Sequence, residues 1–300
     1  MQFDRRKFLK AVPLGGVAMA ASLKEAGGVP LTHTANPSAH IKLSCNLYSF
    51  NDPLRKGEMT LGDVLHYCSD LGFNAVDPTG YYFPGYPEVP QDDYVYEIKK
   101  QAFLLGLDIS GTGVRTDFSS ADKSKREADV ELVRRWVDVA AKMDAPVLRV
   151  FAGKGVPEGY AEREVMDWAV DSIRQCVEHG KQKGVMIVLQ NHNELLKTVD
   201  QVLYIRNKIP SDWLGINLDI GSLRAGDPYE EVAKLAPYAY TWQIKENVYR
   251  NGKEEKTDLK KIIQIIRNVG YRGYIPLETL SGDPRVQIPR FLAEVREAMR

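Results

Sequence analysis

From Ile41 onward, short apolar runs alternate with longer segments whose apolar residues recur every three to four positions. The first pattern is that of strands and the second that of amphipathic helices. The runs predict strands at 41–47, 73–76, 107–110, 147–151, 185–189, 214–218, 239–244 and 274–277. Between and after them the periodicity predicts helices over about 60–71, 93–105, 124–143, 161–183, 199–208, 229–235, 259–269 and 285–299. Thr60 stands ready to cap the first helix and Gly72 follows its end. Val185-Met186-Ile187-Val188-Leu189 shows no polar alternation, the mark of a parallel strand covered on both faces. Eight strand–helix units over about 260 residues have the rhythm of a single-domain α/β fold, a (β/α)8 barrel spanning 41–300. An open doubly wound sheet has fewer units and a Gly-rich first turn, which this chain does not show.

The first forty residues break this rhythm. Arg5-Arg6-Lys7-Phe8-Leu9-Lys10 precedes a short, mildly apolar segment ending in Ala18-Met19-Ala20-Ala21, where a signal peptidase can cut. The paired arginines resemble a twin-arginine export signal, which makes the Tat export machinery an expected partner and the periplasm the expected location. The apolar run is too short for a stable membrane span. Residues 1–22 are thus expected to be a signal peptide, and 23–40 a flexible spacer rich in small and polar residues.

Composition narrows the function classes. Lys plus Arg and Asp plus Glu number 40 each, so no net field favours nucleic acid. Three cysteines make no disulfide framework; Cys45 falls in a strand, Cys68 and Cys176 in helices, as buried thiols do. There is no zinc-type Cys/His spacing and no Gly-rich phosphate loop.

Candidate chemistry lies where the strands end. In a barrel these ends open onto one face and bring distant residues together. They carry Tyr48, Asp77, Arg115, Arg149 with Lys154, Gln190 with His192, Asp219, Gln243 with Lys245, and Glu278. Asp219 and Glu278 are carboxylates set just past apolar strands, and a cation bound between them would offset the cost of burying them. Oxygen ligands of this kind suit Mg²⁺, Mn²⁺ or Co²⁺. Alternatively, either carboxylate pairs with a cation across the mouth, such as Lys245. Tyr48, Tyr81, Tyr82 and Trp242 form either an aromatic wall for a sugar ring or ordinary loop and core packing.

Four of these ends, Leu189-Gln190-Asn191-His192, Asn217-Leu218-Asp219-Ile220-Gly221, Trp242-Gln243-Ile244-Lys245 and Ile275-Pro276-Leu277-Glu278-Thr279, resemble the metal segments of the xylose isomerase-like TIM barrel superfamily. That group includes sugar isomerases, ketose 3-epimerases and barrel endonucleases. Its pattern of Glu, Asp, His and Glu on strands five to eight implies Gln190, Asp219, Gln243 and Glu278 as metal positions here. Two of the four depart, since both glutamines are neutral and neither can take a proton. The resemblance implies Glu278 as the base, His192 as its proton-handling partner and Lys245 as a candidate to stabilise an oxyanion. Tyr48, Asp77, Arg149, Lys154 and Trp242 are the candidates for substrate binding.

The expectation is an exported carbohydrate isomerase or epimerase that moves a proton beside a sugar carbonyl with the help of a divalent metal. One alternative is a lyase that eliminates the aglycone from a 3-keto-glycoside, for which one base suffices. Another is a non-catalytic sugar-binding barrel with a decayed metal site. A small-molecule carbohydrate is the expected ligand in each case, and the oligomeric state is left open. An endonuclease would want more histidines than five and a basic groove.

Overall fold

A computed structural model describes residues 40–300; the expected signal peptide and residues 23–39 of the spacer lie outside the described residues. Nine parallel strands make the barrel wall: β1 (Lys42–Asn46), β2 (Ala75–Asp77), β3 (Asp108–Ile109), β4 (Thr112–Gly113), β5 (Val147–Phe151), β6 (Met186–Gln190), β7 (Leu214–Asp219), β8 (Ala239–Lys245) and β11 (Tyr274–Glu278). β1 pairs with both β2 and β11, so the wall runs from β3 through β1 and β8 round to β4. The one interruption falls between β3 and β4, which are consecutive in the chain. Together they occupy the place of the single third strand expected at 107–110, and the barrel keeps its eight staves.

The break has a local cause. Leu107-Asp108-Ile109-Ser110-Gly111-Thr112-Gly113 is poor in strand formers after Ile109. Ser110 and Thr112 also send their hydroxyls to backbone carbonyls of the neighbouring stave, Val76 at 3.1 Å and Pro78 at 2.7 Å. β3 then follows β2 while β4 follows β5.

The outer layer is α2 (Leu61–Asp70), α3 (Asp92–Leu104), α4 (Lys123–Lys142), α5 (Glu162–Lys183), α6 (Val199–Lys208), α7 (Pro228–Leu235), α8 (Leu259–Asn268) and α9 (Pro284–Met299), with a short α1 (Asn51–Arg55) after the first strand. Thr60 caps α2, and the capping box closes through Asp63. Strands such as β5 and β7 are buried along their whole length, because the interior covers one face and the helices the other. The main core fills that second space, where Trp136 and Trp242 are the largest fully buried side chains.

Four strands run one residue further than their apolar runs predict. β6, β7, β8 and β11 end on Gln190, Asp219, Lys245 and Glu278, so these polar groups are held by the sheet itself. The ladder sets Gln190 opposite Asn217, Asp219 opposite Gln243, and Lys245 opposite Glu278. Beyond β8 the chain forms an antiparallel hairpin that the barrel pattern did not predict, β9 (Asn247–Arg250) and β10 (Lys253–Lys256). Its turn is Asn251-Gly252, both at positive φ (49° and 77°), the conformation a two-residue hairpin turn requires.

Candidate active site

The strand ends open into a cavity of about 850 Å³ at the mouth of the barrel. At its foot, the Lys245 ammonium binds Oε2 of Glu278 and lies 3.5 Å from Oδ2 of Asp219. All three side chains are at least nine-tenths buried. Gln190 donates from Nε2 to Asp219 Oδ2 at 2.8 Å, and Gln243 donates from Nε2 to Glu278 Oε2 at 2.7 Å. Gln243 is fixed at its other end too, since its Oε1 accepts from Asn217 Nδ2 at 2.9 Å.

The two carboxylates are unequally engaged. Asp219 accepts from Gln190 and Ser222 on Oδ2 and from the Gly221 N–H on Oδ1, and Asn191 bonds both polar groups of its backbone. Glu278 takes its bonds from Gln243 and Lys245 on Oε2. Its Oε1 has no such partner among the described residues. Burial pushes the Glu278 carboxyl above its ordinary range, against the pull of Lys245. Burial also opposes the charge on Lys245, but Asp219 and Glu278 outweigh it and hold the ammonium above its ordinary value.

A second cluster faces the same cavity. His192 Nδ1 lies 3.2 Å from Oε2 of Glu194, whose carboxylate is gripped by Arg115. Phe151 fixes both partners, with the imidazole edge-on at 5.2 Å and the Arg115 guanidinium 4.7 Å from the ring centre. Burial pushes the His192 imidazole below its ordinary value, so the neutral form prevails at neutral pH. Among the described residues, three buried atoms of the cavity lining lack hydrogen-bond partners, Arg149 Nε, Gln190 Oε1 and His192 Nδ1. A polar ligand would satisfy them at little cost.

Arg149 reaches the cavity from β5 and is paired beneath it with Asp77 at 2.9 Å, Asp77 in turn accepting from Asn46 at 3.0 Å. Asp77 therefore sits behind Arg149, outside the lining. Gly113 makes room for this pair, because a Cβ there would lie 2.9 Å from the guanidinium carbon. Tyr48, Tyr81 and Tyr86 form an aromatic side to the cavity, Tyr81 packing edge-on against the other two. Tyr82 lies behind them, bonded to Asn51. Trp242 is not part of that wall: it is fully buried against Tyr271 in the core. Lys154 is exposed near Asp117 and is likewise outside the lining.

The strand-end pattern did not single out Phe151, Arg224 or the hairpin residues Tyr249 and Glu254 as part of the site, yet all four line it, as does Glu194 at the close of the stretch after β6. Arg224 stacks on Tyr249 at 3.6 Å and so ties the loop after β7 to the hairpin. The Asn-Gly turn was the available signal for that hairpin.

The metal expectation meets a donor set that does not fit. Among the described residues no group of three or more His, Cys, Asp and Glu is placed to hold an ion. An ion between Asp219 and Glu278 would meet the Lys245 ammonium. The two glutamines turn amide N–H groups toward the carboxylates, and turning Gln243 round would also break its bond from Asn217.

Comparison with known proteins agrees with the architecture. No curated protein matches the sequence. Among solved structures, D-psicose 3-epimerase with D-tagatose from Clostridium cellulolyticum H10 superposes with a TM-score of 0.68 at 13% identity, over 86% of this chain and 99% of that one. The apo form of 3-keto-D-glucoside 4-epimerase from E. coli gives 0.68 at 14% identity, over 87% and 100%. A xylose isomerase-like TIM barrel protein from Mycobacterium smegmatis in complex with magnesium gives 0.64 at 20% identity, over 86% and 98%. At these identities the likeness is one of fold. The sequence profile of the xylose isomerase-like TIM barrel matches residues 65–299, most of the barrel, and the chain belongs to that family.

Proposed function

We propose that this protein is an enzyme that moves a proton on the carbon beside a carbonyl of a small, unphosphorylated carbohydrate, with isomerisation or epimerisation as the outcome. The observation that carries this reading is the unequal engagement of the two carboxylates. Asp219 is bonded on both oxygens, whereas Glu278 keeps Oε1 without a partner among the described residues, in a site that raises its basicity. A carboxylate so placed is suited to act as a general base. Lys245 supplies positive charge for the oxygen on which the enolate charge develops, and His192 handles the second proton. Gln190 Oε1 is an acceptor for a substrate hydroxyl. The epimerase relatives of the same fold support the carbohydrate class.

The cavity lining supports a neutral substrate. Arg55, Arg115, Arg149, Arg224 and Lys245 are matched by Glu194, Asp219, Glu246, Glu254 and Glu278, leaving no surplus for a phosphate. Export through a twin-arginine route, which the Arg5-Arg6 leader supports, places the enzyme where sugars are unphosphorylated.

A second reading, elimination from a 3-keto-glycoside, is favoured by the same asymmetry, because it needs one base and a proton donor for the departing oxygen. Solvent deuterium exchange separates the cases. Incorporation into free ketoses marks the isomerase, and incorporation into 3-keto-glycosides with release of the aglycone marks the lyase. Absence of exchange in both panels, with Glu278→Gln behaving as the parent, would sink both readings.

A further inference from the structure

We propose that Lys245 stands in for a divalent cation in this chain, so that the centre carries its positive charge as a built-in ammonium. Three observations make the substitution a concerted one. The ammonium occupies the space between the two carboxylates, bound to Glu278 and 3.5 Å from Asp219. Gln190 and Gln243, one beside each carboxylate, present N–H donors where a metal site needs lone pairs. Asn217 locks Gln243 in that orientation, because the amide oxygen is already taken.

Charge and packing both follow. Each carboxylate accepts from one amide and faces the shared ammonium, and among the described residues Oε1 of Glu278 is the one oxygen of the pair left open, so the built-in donors already occupy the space a dication would take. Admitting one would expel a buried ammonium from its two partners and turn two amides against their acceptors. Each of those changes leaves a buried group unpaired, which is costly. A glutamate at 190 and a histidine at 243 would instead supply lone pairs and favour the ion. Lys245, Gln190 and Gln243 thus form a set whose members suit one another and not a metal.

The proposal refines the proton-transfer reading at the same site, but its test needs no substrate. The full-length protein, freed of metal by chelator, is titrated with manganese chloride and followed by the loss of free Mn²⁺ signal in electron paramagnetic resonance. The parent should show no manganese site that Asp219→Asn removes. The triple variant Gln190→Glu, Gln243→His, Lys245→Met should bind about one ion per chain, and its unfolding midpoint should rise with added manganese. A parent that binds one ion per chain, lost in Asp219→Asn, overturns the proposal. So does a triple variant that is folded by near-ultraviolet circular dichroism yet takes up none. If the variant does not fold, the parent and Asp219→Asn decide alone. Where deuterium exchange is observed, its loss on chelation with recovery on manganese also overturns the proposal while leaving proton transfer intact.

Discussion

His192 Nδ1 lies 3.2 Å from Oε2 of Glu194, and Nη2 of Arg115 grips both oxygens of the same carboxylate. Nδ1 makes no hydrogen bond to it, so the imidazole is positioned by its edge-on packing on Phe151 and by the nearby charge of a carboxylate that Arg115 fixes. If His192 exchanges protons with substrate, His192→Ala should reduce turnover by about 10²- to 10⁴-fold with a smaller change in KM. Glu194→Gln should fall between parent and His192→Ala. Steady-state kinetics on any substrate identified by deuterium exchange checks the order, and equal rates for all three proteins would remove His192 from the chemistry.

Glu278→Gln preserves shape and removes the base. Exchange should drop by about 10²-fold or more, while the fold persists because Lys245 keeps Asp219 as a partner. Near-parental exchange would place the base elsewhere.

Lys245→Met leaves two buried carboxylates without their cation. Loss of one partner from a buried ion pair costs about 3–5 kcal/mol. The variant should unfold at markedly lower urea concentration than the parent, whereas Lys154→Met, at an exposed position, should not. The comparison reads directly from two denaturation curves.

The hairpin over the mouth is pinned by Arg250, which bonds Asp227 at the start of α7 and Glu255 on the facing strand. Its bond to Arg250, with the α7 cap, holds the Asp227 carboxyl below its ordinary value of 3.8. A carboxyl with a depressed folded value stabilises fully above 3.8 and loses that contribution as pH falls through the lower folded value. Amide protection across β9 and β10 should therefore weaken in acid below that window. Asp227→Asn should show weakened protection already at neutral pH, and a hairpin equally protected in both proteins would count against the link.

The barrel and the residues that its strand ends bring to the mouth were legible in the chain because both follow from period and position. Apolar runs at barrel spacing gave the staves, and the polar residue after each run gave Gln190, Asp219, Lys245 and Glu278. What escaped has physical reasons. The third stave divides because Ser110 and Thr112 satisfy backbone groups with their side chains, which an apolar pattern does not register. Trp242 was grouped with the tyrosines although it adjoins Gln243. Neighbours on a strand point to opposite faces, so an inward Gln243 sends Trp242 outward to the helices. The metal expectation rested on the two carboxylates and on the resemblance, which made Gln190 and Gln243 neutral ligands, and only their hydrogen-bond directions reveal that each turns an N–H to a carboxylate. The Glu194 contact to His192 is visible only once the loop after β6 is folded.

The matched charges around the mouth bear on how a ligand arrives. Five basic side chains offset by five acidic ones cast little field beyond the Debye length, about 8 Å at physiological salt. Capture then depends on diffusion and on contact with the aromatic side formed by Tyr48, Tyr81 and Tyr86. The association rate of a neutral sugar should be nearly flat across ionic strength, and an anionic analogue should gain no advantage as salt is withdrawn. Discrimination between ligands is left to the short-range donors and acceptors at the foot of the barrel.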